Sequence, residues 1–338
     1  MGPADKSTTS LLPIVEAAYE NIDASDADWL ARVLTATRPH LDEGFGVAAF
    51  EFYRPGDGLP EILQSLHQGI PPKLSAVYPE VFATMDPEIR KRPFRLGPCV
   101  TGSAMMGMGE EFREQPHMKK YVHPFGMYDS LWITAAEPSG RGCGFHAGRS
   151  RIGGASPSQV KRWGRVAGHL STVVRLRRRL RANFSPPSAV LDPDGQVHDA
   201  NGEASTRDAL ARLRRAVLDL ETLRGPIRLE DPDRALFGWK ALVAGRWSLI
   251  DQMEHDGRRY IVARENEPTA RGHASLTARE RQVIGYAKLG HHNKLIAYEL
   301  GITDSTVRVL LARASAKLGV RRRVDLLSAV PDDAPASA

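Results

Sequence analysis

Between Thr277 and Leu318 the chain carries three short amphipathic segments whose connectors are only a few residues long. Thr277 with Glu280 three positions on has the pattern of a capping box. Val283, Ile284 and Ala287 give the helix behind it one apolar face, and Gly290 ends it. Asn293 opens a second, short helix with Leu295, Ile296 and Leu300 inward, and Gly301 stops that one. After Ile302, Thr303 and Asp304 a third helix runs from Ser305 to Leu318, with Val307, Leu311, Ala314 and Leu318 inward. Helix, three-residue turn, helix is the geometry of a helix-turn-helix. The core stripe reads as self-contained, so residues 276–330 are expected to form an all-α unit of four helices.

The outward side of the third helix carries the functional argument. The helical period sets Ser305, Val309, Ala312 and Ala316 opposite the core stripe, flanked by Arg308 and Arg313. Small side chains edged by arginine fit a major groove, where Arg308 reaches base edges or phosphate and Val309 and Ala312 approach thymine methyls. The helix N-terminus offers free N–H groups, and the hydroxyls of Ser305 and Thr306, to a phosphate. Lys294 and the run Arg321, Arg322, Arg323 stand at helix ends able to grip the backbone. The expected partner is double-stranded DNA.

Read by position, the block contains Leu276-Thr277-Ala278-Arg279-Glu280-Arg281, Asn293-Lys294, Ile296-Ala297, Leu300-Gly301-Ile302, Ser305-Thr306-Val307-Arg308 and Lys317-Leu318-Gly319-Val320. In cap, spacing and core this closely resembles the LuxR-type helix-turn-helix. The resemblance implies a transcription regulator that binds DNA as a homodimer, with RNA polymerase as a further partner. It places Arg308, Val309 and Ala312 at positions that usually meet bases. Leu310 stands where the family often has histidine, and Ala312 where a basic residue can sit; both bear on the target sequence.

The rest of the 338 residues, 42% hydrophobic and 25% charged, is enough for two further soluble units. The net charge of +6 is unevenly placed. Residues 161–181 hold eight Lys/Arg and no Asp/Glu, and residues 271–330 hold eleven against four. Each block reads as the footprint of a polyanion or, more blandly, as a solvated helix face. The chain lacks an apolar run of about 18 residues, which argues against a membrane span. Its first ten residues are polar rather than basic then apolar, so a cytoplasmic location is expected. Two cysteines, Cys99 and Cys143, cannot build a disulfide framework or a four-cysteine zinc site.

Residues 11–40 read as two helices broken at Asp23 to Asp28, and Gly44 to Tyr53 as a strand with a turn at 54–58. Residues 60–97 look mostly helical, cut by Pro71-Pro72, Pro79, Pro87 and Pro93, and residues 98–128 look like loop and short helix. A hairpin spans Tyr128–Ala136 and Gly142–Arg149. A long helix then runs from Ser156 or Ser158 to about Asn183. It carries Val160, Trp163, Ala167, Leu170 and Val174 in one stripe and Val166, Val173, Leu176 and Leu180 in another. So wide an apolar surface predicts packing on its own domain and on a second subunit. Arg175, Arg177, Arg178, Arg179 and Arg181 gather at its end, where cations suit the helix dipole.

Past the linker Ser185–Ser188 come a hairpin over 189–200, a helix over 205–224, and a hairpin over 247–264 turning at His255-Asp256-Gly257. A polar linker, 266–275, follows. The layout of residues 11–183 is similar to a GAF-type sensor with a signalling helix, and that of 188–265 to parts of a PAS-like module. The expected fold class is therefore multidomain α+β: an α/β GAF-like sensor, a small PAS-like α/β module and a four-helix DNA reader.

A phosphate receiver pattern and the G-x-x-x-x-G-K-[ST] loop are both lacking, and the resemblance to acyl-homoserine-lactone receptors is poorer. Met105, Met106, Met108 and Met127 with Phe125, Tyr128 and Trp132 suit an apolar pocket. Met105, Met127, Trp132 and His146 are its candidate lining, for an unknown small molecule or a protein signal. His117, His123, Cys143 and His146 include a C-x-x-H pair, but the spacing is loose, and neither metal nor cofactor is expected. No catalytic constellation is evident, so the chain is read as a non-enzyme. A sigma-like promoter factor lacks its basic, aromatic melting segment here. A protein-binding scaffold with a vestigial DNA domain is the remaining rival.

Overall fold

A computed structural model describes residues 10–54, 56, 58–182, 186–253, 258–268, 273 and 275–330. The expected helix end at Asn183, linker residue Ser185, the turn at 255–257 and half of the linker 266–275 lie outside the described residues, as do Pro55 and Asp57. The chain is mixed helix and sheet, with a sheet-rich N-terminal region and a helical C-terminal one.

In the first unit, α1 (Leu12–Tyr19) and α2 (Asp26–Leu41) lead into β1 (Val47–Tyr53) and β2 (Glu61–Gln68). Helices α3 (Pro72–Thr84) and α4 (Pro87–Lys91) precede β3 (Cys99–Thr101), and α5 (Gly102–Met106) follows it. The hairpin β4 (Asp129–Ala136) and β5 (Arg141–Arg149) comes next, and α6 (Pro157–Ala182) closes the unit. Ser25 caps α2 by accepting from the Asp28 N–H, which explains the break between the first two helices. The strands form one antiparallel sheet in the order β2-β1-β5-β4-β3. Alternation sends Leu131, Ile133, Cys143, Phe145 and Ala147 into a core with α1, α2 and α6. Trp132, paired across the ladder with His146, points to the other face.

One expectation fails here. Residues 61–68 are an edge strand and not helix, paired with β1 from Val47–Gln68 to Tyr53–Glu61. Ile62 and Leu63 are exposed and Leu66 is half-buried against the core, so the apolar residues show no alternation to read; ladder hydrogen bonds to β1 hold the strand.

The second unit comprises β6 (Ala189–Leu191), β7 (Val197–Ala200), α7 (Arg207–Arg224), α8 (Ile227–Glu230), α9 (Pro232–Gly238), β8 (Trp247–Met253) and β9 (Arg259–Glu265). Its antiparallel sheet has the order β7-β6-β9-β8, and α7 packs Leu213 and Val217 onto it. The last unit is α10 (Ala278–Lys288), α11 (Asn293–Leu300), α12 (Asp304–Lys317) and α13 (Arg323–Ala329).

Helix α6 touches all three units. Val166, Leu170 and Val173 lie in the core of the first sheet, and Leu176 packs with Ile250 and Val262 of the second. Gly164 and Gly168 let α11 approach: a Cβ at Gly164 would lie 3.5 Å from Leu295, and one at Gly168 2.9 Å from Glu299. The apolar width that predicted a second subunit is thus filled within the chain.

The arginine block is also internal. Arg175, fully buried, donates from Nε to the Asn266 carbonyl (3.0 Å) and lies 3.6 Å from Glu137. Arg177 donates to the carbonyls of Ile22 (2.6 Å) and Ala24 (2.7 Å) and pairs with Asp26 (3.1 Å). Arg178 pairs with Glu137 (3.1 Å), Arg181 with Asp26 (2.5 Å), and Arg179 donates to the Glu267 carbonyl (2.8 Å). Within the first basic block these five arginines engage this chain's own carboxylates and carbonyls, Arg175 and Arg177 buried and Arg178 and Arg181 still exposed to solvent.

Candidate nucleic-acid interface

The helix-turn-helix begins with the capping box read from sequence. The Glu280 N–H donates to Thr277 Oγ1 (3.3 Å) and the Thr277 N–H to Glu280 Oε2 (2.7 Å). Lys317, at the end of α12, pairs with the same carboxylate at 2.7 Å. Two caps fall before the expected openers, one position ahead of Asn293 and two ahead of Ser305. His292 accepts the Leu295 N–H to cap α11 (3.2 Å), and Thr303 accepts the Thr306 N–H to cap α12 (3.1 Å). Gly301 turns the chain between them with φ +60.

On α12 the inward Val307 and Ala314 are fully buried, while Ser305, Thr306, Arg308, Val309, Ala312, Arg313 and Ala316 are exposed. Val309, an apolar β-branched residue, stands 47% open in the middle of this stripe. Arg308 pairs with Asp304 one turn earlier at 2.6 Å, so reaching a base means exchanging that carboxylate for one. The Ser305 and Thr306 hydroxyls each lie 2.8 Å from Thr303 Oγ1 and are engaged at the cap.

The C-terminal arginines divide. Arg323 donates to Asn293 Oδ1 (2.7 Å) and the His291 carbonyl (2.9 Å), tying α13 to the start of α11. Arg323 is exposed all the same, so a backbone contact from it means exchanging these partners for a phosphate. Arg322 pairs with Asp325 at 2.8 Å. Lys294, Arg313 and Arg321 form no ion pair among the described residues and are exposed.

The core of this domain is not self-contained, against expectation. Leu276, Ile284, Ala314 and Leu326 form an internal half. Val283, Tyr286, Ile296 and Leu300 share a second half with Phe50, Phe52, Phe94 and Trp132 of the N-terminal unit. A Cβ on Gly290 would lie 2.5 Å from the Arg95 carbonyl, and one on Gly301 would collide with the Leu242 carbonyl. Polar contacts line the same junction. His169 on α6 lies 2.6 Å through Nε2 from the Tyr298 hydroxyl and 3.2 Å through Nδ1 from the Tyr19 hydroxyl. Tyr298 donates to the Trp239 carbonyl at 2.7 Å, which leaves its oxygen to accept from Nε2–H and Tyr19 to donate to Nδ1. Burial, and then Arg165, push this imidazole down to about 3, so it is neutral.

A second candidate site lies in the N-terminal unit. Met105, Met127, Trp132 and His146, named from the sequence, line one cavity of about 50 Å³ between the sheet and its covering helices. Met106 and His117 line it too; Tyr78, Phe112 and Met118 were missed, because the period of their segments does not report which face they share. Burial pushes His146 down to about 4, so it too is neutral. Cys143, three positions from His146 on one strand, points to the opposite face, so the C-x-x-H pair cannot share an ion. Burial raises both thiols, Cys99 to about 12 and Cys143 well above its ordinary value, leaving them unreactive at neutral pH. Among the described residues no group of His, Cys, Asp or Glu is placed to hold a metal, and no helix is long and apolar enough to cross a membrane.

Residues 274–330 match the family described as "Bacterial regulatory proteins, luxR family". A "Monoamine regulon transcriptional regulator" from Klebsiella aerogenes is 46% identical over 55 residues, which are 16% of this chain and 24% of the relative. The match thus spans about a quarter of that relative's length. Among solved structures, "SdiA in complex with octanoyl-rac-glycerol" aligns over 94% of this chain and 89% of its own, at 13% identity and a TM-score of 0.24. The helices, caps and turn of the last unit and the match over its whole length agree: residues 274–330 are a helix-turn-helix domain of the luxR family.

Proposed function

We propose that this chain is a sequence-specific DNA-binding transcription regulator, reading duplex DNA with α12 and taking its signal from the N-terminal unit. The observation that carries the reading is the exposed stripe of α12: small side chains edged by Arg308 and Arg313, opposite the buried Val307 and Ala314. Lys294 and Arg321 supply the phosphate contacts, and Arg308 the base contact.

In this reading the N-terminal unit is a GAF-like sensor and residues 188–265 a PAS-like module. The chain is cytoplasmic and performs no catalysis of its own. The two units meet the DNA reader through a contiguous path. Trp132 on the cavity wall stands 6.0 Å from Phe50, Phe50 stands 6.2 Å from Phe94, and the Arg95 carbonyl abuts Gly290. The homodimer is assigned to the helix-turn-helix domain rather than α6, because Val324 on α13 is 70% exposed. RNA polymerase is the further partner. The engagement of the first arginine block inside the chain speaks further against a sigma-like factor.

Arg308→Ala is expected to weaken specific binding by about 1–3 kcal/mol and relax preference at one base position. A selection from random duplexes with wild type and variant measures both. Arg321→Ala should weaken binding evenly across sequences and lower the salt slope by about one unit. Unchanged affinity and preference in Arg308→Ala would remove α12 as the reading helix.

A further inference from the structure

We propose that the cavity at His146 binds a small, uncharged, single-ring aromatic molecule of the phenol class, with the imidazole as its polar anchor. The inference rests on the sensor reading of the N-terminal unit and deepens it by naming the ligand's chemistry.

His146 is the first reason. It is more than nine-tenths buried, contacts Trp132 (4.5 Å between ring centres) and Tyr78 (5.6 Å), and makes no hydrogen bond among the described residues. Its polar neighbours are satisfied. Trp132 Nε1 donates to Ser130 Oγ (3.1 Å), and Asp129 accepts from the Ser103 hydroxyl (2.7 Å) and N–H (3.0 Å). A buried imidazole with both nitrogens open is a group for which native proteins find a partner. The cavity it lines is the space where a ligand hydroxyl can stand.

The wall is the second reason. Met105, Met118 and Met127 line the cavity together with the rings of Phe112 and Trp132. Thioethers favour aromatic partners and yield to irregular shapes. No carboxylate, lysine or arginine lines the cavity, so a charged ligand would lie buried without a counter-ion.

Size is the third reason. At about 50 Å³ the cavity is smaller than the ~150 Å³ void known to take benzene, so a single ring is the upper limit and needs the adaptable methionines to move to enter. A long acyl chain or a nucleotide has no room.

The test is calorimetric titration of the full chain with phenol, with toluene, which lacks the hydroxyl, and with benzoate, which carries a charge. Phenol should bind one-to-one, toluene about tenfold more weakly, and benzoate not at all. His146→Leu should erase the difference between phenol and toluene. Met127→Trp, filling the cavity, should abolish both. Toluene binding as well as phenol, or benzoate binding equally, overturns the assignment without need of any variant. A wild-type sample that binds duplex DNA but takes up none of the three overturns the ligand class and leaves the regulator reading standing. A sample that binds phenol as expected but no DNA does the reverse.

Discussion

Arg175→Met is expected to lower the stability of the full chain by about 3–5 kcal/mol, the range seen when one partner of a buried ion pair is removed. The guanidinium is fully buried where three units meet. Besides the Asn266 carbonyl it reaches Asn266 Oδ1 (3.1 Å) and lies 3.4 Å from the Tyr286 hydroxyl. Burial works against its charge, and Tyr286 and Glu137 more than restore it. Methionine keeps much of the stem's packing but leaves Glu137, 1% exposed, with the Ser139 hydroxyl and, as its one ion-pair partner among the described residues, the half-open Arg178. Urea denaturation of the variant should show the loss as a lower midpoint. The pair Arg175→Met with Glu137→Gln should lose less than Arg175→Met alone, because the stranded charge goes too. An unshifted midpoint in the single variant would mean that the junction does not hold the units together.

Leu170→Glu is expected to abolish folding. Truncating a buried leucine costs about 2–5 kcal/mol, and the carboxylate is then buried without a partner. Against a total stability of about 5–15 kcal/mol, little remains. Val174→Glu, one turn along, should be tolerated. Val174 is half-buried and lines an open cleft of about 270 Å³ with Arg177, Arg178 and Arg181, beside Asp26 and Glu51. Circular dichroism and size-exclusion chromatography separate the two variants. A folded, monomeric Leu170→Glu beside a dimeric wild type would return the dimer seam to α6.

The DNA-reading domain was almost wholly legible because its signals are local. The capping box, the terminating glycines and an unbroken helical stripe all lie within a turn or two of what they specify. Four cavity residues could be named because methionine and tryptophan in an irregular segment betray a partly filled space. What could not be read depends on partners distant in sequence. Strand β2 owes its conformation to β1, and Leu66 alone of its apolar residues is covered, which leaves no period to read. The arginines of α6 look like a surface cluster until Ile22, Asp26, Glu137 and Asn266 are brought beside them. An apolar helix of that width has the same appearance whether its second face meets another subunit or, as here, the glycine-lined approach of α11. Arg323 shows the same in miniature: its hydrogen bonds to Asn293 and His291, outside its own helix, could not be read from its place in the run.

The boundary that the family match draws at residue 274 is a boundary of ancestry, and folding does not respect it. Tyr286 and Tyr298 lie inside the matched segment, yet Arg175, His169 and Trp239 outside it depend on them. Gly290 and Gly301 seat the same segment against Arg95 and Leu242. A chimera that grafts another helix-turn-helix onto residues 1–273 would therefore leave Arg175 to Asn266 and Glu137 and His169 to Tyr19 unless it carried both tyrosines, and would need both glycines to seat. The domain is not an interchangeable cassette, and melting of the intact chain should cross that boundary in one cooperative step.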